Sequence, residues 1–208
     1  MPPAKPLFDP SATTSRAFLS NYNRYFENAH MLLAELEVLV AEVNKALPKA
    51  LSEAVKEDET TKLQWRLGRK RDLLSDSVKI FSAMSVESFL NFYGVLRLGP
   101  VRYDRKLERL GLVPKLKELF KLCDEVYLTE TDEIVQVLDR IATRRNQQVH
   151  PVAVEVSVPL SAKMGDGDKI PDVAREAVSD MNHFFQEFGK CQPDYAQSLP
   201  KQYEADAS

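Results

Sequence analysis

A run of 33 residues without proline or glycine most constrains the fold of this chain. Neither residue occurs between Ser15 and Leu47, so nothing in that stretch breaks a helix. Apolar residues within it recur at spacings of three and four, at Leu32, Leu33, Leu36, Leu39, Val40 and Val43. This spacing is typical of an amphipathic helix. The sequence therefore predicts a long helix with one buried face, which ends or kinks at Pro48.

The rest of the chain repeats this helical pattern, and only 7 of its 208 residues are glycine. Further helices are predicted over residues 61–98, 102–123, 129–149 and 171–188. The second of these should break at Gly111, and Gly189 should close the last. Thr129 and Asp132 form a predicted capping pair at the start of the third. We therefore expect an all-α bundle of five to six helices. A short extended segment is expected near 152–158, where valines alternate with the period of a strand.

Proline positions and polarity suggest the domain boundaries. Residues 1–14 contain four prolines and are expected to form a flexible leader. Residues 15–190 are long enough for a single helical-bundle domain with its own core. Residues 191–208 are expected to be a loose polar tail.

Composition excludes several classes of protein. The two cysteines lie 68 positions apart with no Cys/His cluster, so a zinc site of the usual spacing is excluded and no cofactor is expected. The N-terminus has no apolar run of the secretory type. The longest weakly charged stretch, residues 80–96, is too short and too polar to span a bilayer. We expect a cytoplasmic protein that does not bind membranes.

The central part of the second long helix is apolar on nearly all sides. Among the 17 residues from Ile80 to Leu96, Glu87 carries the only formal charge, which indicates the central helix of the bundle. Asn91 follows one turn later on the same face. Because an unpaired buried carboxylate is costly, Glu87 should have a cationic or hydrogen-bond-donating partner.

The helix predicted over residues 129–149 ends in a second polar group. Its inward face is defined by Ile134, Val137, Leu138 and Ile141. At about 100° per residue, Arg145 lies within about 30° of the centre of that face and Arg144 about 70° from it. Arg145 is therefore the expected partner of Glu87. His150 follows at the end of the helix, where Pro151 disfavours helical geometry and the helix dipole favours a protonated imidazole.

These residues also have an ordinary structural explanation. An arginine near a helix C-terminus commonly caps carbonyls or stays solvated, and a histidine before a proline commonly has no role. A purely structural network of Glu87, Asn91 and Arg145 is therefore an alternative to a functional site.

The run from Arg145 to His150, Arg-Asn-Gln-Gln-Val-His, resembles the Arg-x4–6-His motif of the HEPN superfamily, the higher eukaryotes and prokaryotes nucleotide-binding domain. Residues 85–91, Ser-Val-Glu-Ser-Phe-Leu-Asn, resemble the polar residues that this family often carries on its central helix. By helix order the resemblance covers about residues 15–190. Arg144 also satisfies the spacing, but Asn146 and the helical phase favour Arg145.

The resemblance implies a metal-independent endoribonuclease that works as a homodimer, of the kind found in toxin or anti-phage systems. A protein partner such as a nucleotidyltransferase-type antitoxin is then a candidate. In this interpretation His150 moves a proton, Arg145 holds the phosphate, and Asn146 binds the phosphate or orients His150. Glu87 would orient Arg145, with Asn91 beside it. An ideal helix separates positions 145 and 150 by about 140°, so either the helix unwinds at Val149 or two chains complete the site.

The charge distribution bears on a nucleic-acid partner. The net charge is only −3, but residues 62–121 hold 14 Lys and Arg against 6 Asp and Glu, so an acidic remainder offsets a basic middle. Two clusters are candidates for binding RNA. One comprises Trp65, Arg66, Arg69, Lys70 and Arg71, and the other comprises Arg102, Arg105 and Lys106. Trp65 is the only tryptophan and can stack on a base. A solvated helix face is the alternative for either cluster.

Three hypotheses follow from the sequence. The first is a HEPN-like ribonuclease. The second is a catalytically silent HEPN domain that binds RNA, a nucleotide or a protein. The third is an unrelated helical interaction domain in which Glu87 and Arg145 form a structural pair.

Overall fold

The structure is a computed structural model that describes residues 21–52, 57–103, 105–149 and 170–200. These residues form helices and connecting turns without a strand. The elements are α1 (Tyr22–Ser52), α2 (Glu57–Leu98), α3 (Arg105–Glu108), α4 (Leu112–Asp124), α5 (Glu133–Val149), α6 (Ile170–Cys191) and a 3-10 helix (Pro193–Ser198). The predicted all-α bundle is confirmed. The leader (1–14), the segment 152–158 and residues 201–208 lie outside the described ranges.

Helix α2 is the centre of the bundle, as its all-round apolar segment predicted, and it contacts α1, α4, α5 and α6. Phe89 lies at the middle of the core and is 2% exposed. Its ring meets Tyr22 of α1 at 5.4 Å and Phe188 of α6 at 4.7 Å between centroids, in edge-to-face geometry. Such pairs add stability beyond the area they bury.

Several helix ends differ from the prediction. Helix α1 continues past Pro48 to Ser52, and α6 continues past Gly189 to Cys191. At Gly189 a Cβ atom would lie 3.1 Å from Leu199 Cδ1, so glycine serves close packing there rather than helix termination. Asp132 lies just before α5, and its carboxylate accepts hydrogen bonds from the backbone and hydroxyl of Thr129, which confirms that the two residues pair.

Residues 193–198 are packed rather than loose. Tyr195 is buried and its ring meets Tyr93 at 5.3 Å in edge-to-face geometry. The Arg97 guanidinium lies 5.7 Å from the Tyr195 ring and donates to Asp124 and to the Cys123 carbonyl. This network joins the ends of α2 and α4 to the segment after α6. The expectation of a loose tail is therefore wrong for residues 193–198.

Across the described helices, none is long and apolar enough to cross a membrane.

Candidate functional site

A cavity of about 400 Å³ lies among the residues singled out in the sequence. Glu87 of α2 and Arg145 and Asn146 of α5 line one part of it, and residues 108–114 line the other. A second cavity, of about 440 Å³, lies by α6, and Lys190 is the one charged residue among the described residues that line it. The first cavity brings charged groups of both signs together, so it is the candidate functional site.

Arg145 and Glu87 meet at this cavity, as predicted. Arg145 Nη2 lies 3.8 Å from Glu87 Oε2, and the two side chains are 39% and 36% exposed. Arg145 Nη1 also donates to Asn146 Oδ1 at 3.4 Å. The predicted inward position of Arg145 is wrong in one respect: its guanidinium lies at the edge of the bundle, beside the cavity, and not in the core. The pair is long and solvated.

A buried amine lies behind this pair. Lys115 of α4 is fully buried, and its Nζ donates to Asn91 Oδ1 at 2.6 Å. Tyr103 Oη donates to the same oxygen at 2.6 Å. Asn91 therefore accepts two hydrogen bonds and joins Lys115 and Tyr103 into the floor of the site. Among the hydrogen bonds of the described residues, none joins Asn91 to Arg145. Lys115 was not among the predicted site residues, although its spacing from Leu112, Leu116 and Leu119 places it on the apolar stripe of α4.

The electrostatics of the site follow from this burial. Desolvation lowers the pKa of Lys115, and the nearby charges of Glu87 and Glu108 only partly offset it. Arg145 lowers that pKa further because both groups are cationic. Burial, together with the charges of Glu108 and Glu87, raises the pKa of Tyr103 and keeps the phenol protonated as a donor.

Arg144 has a different role from its neighbour. Its side chain is 18% exposed and forms an ion pair with Asp180 and a 3.0 Å contact with Glu176, both on α6. Arg140 donates two hydrogen bonds to Asp180 at 2.8 and 3.0 Å. The side chain of Arg144 is therefore less exposed than that of Arg145, contrary to the helical phase, because α6 packs on that side of α5 and supplies a carboxylate. Asp180 was also missed.

The C-terminal end of α5 lies beside the middle of α2. Lys79 Nζ of α2 donates to Gln148 Oε1 at 2.8 Å, one residue before the last residue of α5. Helix α5 remains regular through Val149. His150 lies outside the described residues.

The two basic clusters are not brought together. Arg66, Arg69 and Lys70 are exposed on the first half of α2, whereas Arg102 is exposed beyond its other end. Residues 66 and 98 are about 48 Å apart along the helix axis. The side chains of Arg105 and Lys106 lie outside the described part of the structure.

Within the described ranges, no group of three His, Cys, Asp or Glu residues is arranged to hold a metal ion. In comparisons with known proteins, no family model, no curated protein and no solved structure matches the chain.

Proposed function

We propose that this protein is a HEPN-like, metal-independent endoribonuclease that cleaves RNA by 2′-hydroxyl attack at the Arg145 cavity. The proposed assembly is a homodimer. In the cell, the proposed role is that of a toxin or anti-phage nuclease, with a nucleotidyltransferase-type antitoxin as its partner. The family resemblance of residues 145–150 gives the reaction class, and the geometry around Arg145 supports it.

The single observation that carries the proposal is the loose tethering of Arg145. Arg144 is held by two carboxylates of α6. Among the described residues, the carboxylate paired with Arg145 is Glu87 alone, in a long, solvated contact at 3.8 Å. A solvated pair of this kind contributes little stability, so exchanging its carboxylate for a phosphate has a small cost. Arginine is well suited to this exchange because its guanidinium binds phosphate oxygens in a bidentate manner.

The proposed reaction uses groups that this chain carries. The 2′-oxygen attacks the adjacent phosphorus, the P–O5′ bond breaks, and the products are a 2′,3′-cyclic phosphate and a 5′-hydroxyl. His150 moves a proton, either from the 2′-hydroxyl or to the leaving 5′-oxygen. Arg145 neutralises the charge that develops on the phosphoryl oxygens. Asn146 supplies an amide donor beside it, and Glu87 limits the directions in which Arg145 can point.

The regularity of α5 supports a site shared between two chains. Residues 145 and 150 differ by about 140° in an ideal helix, and α5 stays helical through Val149. Arg145 to Val149 form a regular turn of helix, so a contact between Arg145 and His150 of one chain would need a change of direction after Val149. A two-fold interface would supply His150 from the second copy.

The first test is cleavage of single-stranded RNA by the purified chain in EDTA. We expect cuts that leave cyclic phosphate ends and that disappear when the cleaved nucleotide lacks its 2′-hydroxyl. Arg145→Ala and His150→Ala should each slow cleavage by about 100-fold or more. His183→Ala and Arg175→Ala are the matched controls, since both residues lie on α6 and form partly exposed pairs there, with Glu187 and Asp172. An uncut, diverse RNA pool would leave a silent binding domain or a helical interaction domain as the better description.

The second test asks whether two chains build one site. Arg145→Ala and His150→Ala proteins, each inactive alone, are mixed and allowed to exchange subunits. If each site takes one residue from each chain, half of the sites in every mixed dimer are intact, and about a quarter of wild-type activity returns. If one chain supplies both residues, the mixture stays inactive and the shared site is rejected.

A further inference from the structure

The first half of α2 extends beyond the start of α6. Ser75 Oγ donates to the carbonyl of Ile170, the first residue of α6, at 3.2 Å. Residues 57–74, here named the α2 arm, therefore precede the point where α6 begins. The arm spans about 27 Å along the helix axis. It packs along α1, to which Lys70 is linked by a 3.1 Å ion pair with Glu35.

The arm carries an exposed aromatic surface. Trp65 is 65% exposed, and the Arg69 guanidinium lies over its ring at 5.0 Å from the centroid. The two residues are one turn apart, so the contact is local to the helix. The Trp65 indole therefore contributes little to the core, and a cation–π contact with Arg69 orients it. Exposed aromatic rings of this kind are the surfaces on which proteins stack unpaired bases.

The charged side chains near Trp65 include Arg66, Arg69 and Lys70, which are exposed and can bind an anionic ligand. Within the described part of the structure, neither Arg66 nor Arg69 has a carboxylate partner. Lys70 shares its pair with Glu35, but both side chains are 52% exposed, and such a pair exchanges readily for another anion. Three exposed cations thus lie within five residues of Trp65 along the helix, where they can neutralise phosphates of a bound strand.

We propose that the α2 arm docks a single strand of RNA, with Trp65 stacking on a base and Arg66, Arg69 and Lys70 binding backbone phosphates. An acidic peptide would use the cations but not the exposed indole, so it is the less favoured ligand. The identity of the strand as RNA rests on the proposed function, whereas the docking chemistry applies to any single strand.

The arm is aligned with the cavity. Arg69 and Glu87 are 18 residues apart, which is five full turns, so they share one side of α2 at a separation of about 27 Å. Lys79 lies between these two residues along α2 and donates to Gln148 near the end of α5. On the same side Asp76 is paired with Lys79 at 2.7 Å, so its charge is compensated. The α2 arm and the Glu87–Arg145 pair therefore lie along one side of α2, about 27 Å apart.

The experiment uses the full chain and the intrinsic fluorescence of Trp65, because the chain has a single tryptophan. A 12-nucleotide deoxythymidine strand, which lacks the 2′-hydroxyl and is not cleaved, should quench this fluorescence. Three phosphate contacts predict a slope of about −2 in a plot of log affinity against log salt concentration. In anisotropy measurements with the labelled strand, Trp65→Ala should weaken binding about 5- to 100-fold, and Trp65→Phe should weaken it less.

Matched controls separate the arm from general surface effects. Arg66→Gln and Arg69→Gln should each reduce the salt slope by about 0.7, whereas Arg175→Gln on α6 should not change it. Tyr127→Ala removes another exposed aromatic side chain, which is 75% exposed, and should leave affinity unchanged. Unquenched fluorescence, wild-type affinity of Trp65→Ala, or equal competition by polyglutamate would each overturn the proposal.

The two proposals can fail independently. If the deoxythymidine strand binds through Trp65 and no RNA is cleaved, the docking site stands and the ribonuclease proposal fails. If RNA is cleaved and Trp65→Ala changes neither binding nor cleavage, the ribonuclease proposal stands and the docking site is rejected.

Discussion

One methyl group added at Gly94 of α2 tests how tightly the floor of the site is packed. A Cβ atom there would lie 2.4 and 2.5 Å from two ring carbons of Tyr103 and 3.0 Å from Leu119 Cδ2. Ordinary contacts of a Cβ begin at 3.4 Å, so the ring must move by about 1 Å. Leu119 is fully buried and the Tyr103 ring is 7% exposed, so neither has free space.

The cost of Gly94→Ala follows from this geometry. Overpacking of a tight core costs about 1–3 kcal/mol. Displacement of the ring also weakens the Tyr103 to Asn91 hydrogen bond, worth about 0.5–1.5 kcal/mol. The higher helix propensity of alanine raises the free energy of unfolding by about 1 kcal/mol, which offsets part of this loss. The net expectation is a loss of about 1–3 kcal/mol, which lowers the melting temperature by about 2–12 °C for a chain of this size.

Gly68 of the same helix is the matched control. No heavy atom lies within 4 Å of a Cβ built there. Gly68→Ala should therefore show only the helix-propensity gain of about 0.5–1 kcal/mol. The two variants are compared by thermal melts and urea titrations. Opposite signs are expected, and a Gly94→Ala protein as stable as Gly68→Ala would refute the packing argument for Tyr103 and Asn91.

Two further predictions concern the buried charges. Lys115→Met should stabilise the fold in thermal melts, because burial lowers the Lys115 pKa and Glu87 and Glu108 only partly offset this. Asn91 keeps Tyr103 as a hydrogen-bond donor in this variant. The extra stability of Lys115→Met should shrink as the pH rises toward the ordinary lysine pKa of 10.5, since Lys115 loses its charge in the folded wild type before it does so in the unfolded chain. An advantage that does not change with pH would contradict this reasoning. Asp180→Asn should cost roughly 2–3 kcal/mol, against less than about 1 kcal/mol for the exposed control Asp172→Asn on the same helix. Burial raises the Asp180 pKa, but hydrogen bonds from its two arginines outweigh this effect and hold the pKa below 3.8. The stability that ionised Asp180 contributes is therefore complete above pH 3.8 and is lost as the pH falls below that value. Urea titrations in acid would measure this loss.

The helices and the Glu87–Arg145 contact could be predicted from sequence because both depend on periodicity. A single formal charge in the apolar segment of α2 requires a partner. The phase of α5 places Arg145 near α2, and the structure confirms this pairing at 3.8 Å. Periodicity describes one helix at a time, however, and it gave the direction of Arg145 without showing how far its side chain extends into solvent.

The residues that were missed depend on how helices pack against each other. Lys115 and Asp180 are buried polar groups whose partners, Asn91 and the two arginines of α5, come from other helices. Each occupies an apolar stripe of its own helix, which is a signal visible in the sequence, but charged residues at such positions are usually solvated at the edge of a stripe. Only the neighbouring helix decides between these outcomes.

The adjacent arginines of α5 provide the test that separates a functional site from a structural network. The side chains of Arg144 and Asp180 are 18% and 11% exposed. Arg140 still binds Asp180 when Arg144 is lost, so breaking the Arg144 pair should cost about 1.5–3 kcal/mol, as for a hydrogen bond to a charged group. The Arg145–Glu87 pair is long and more than one-third exposed, so it should contribute less than about 1 kcal/mol. Arg144→Met should therefore lower the melting temperature by about 3–12 °C, whereas Arg145→Met should lower it by no more than about 2–4 °C and still abolish RNA cleavage. Equal destabilisation by both variants would favour the structural network, because it would mean that the fold needs Arg145 as much as it needs Arg144.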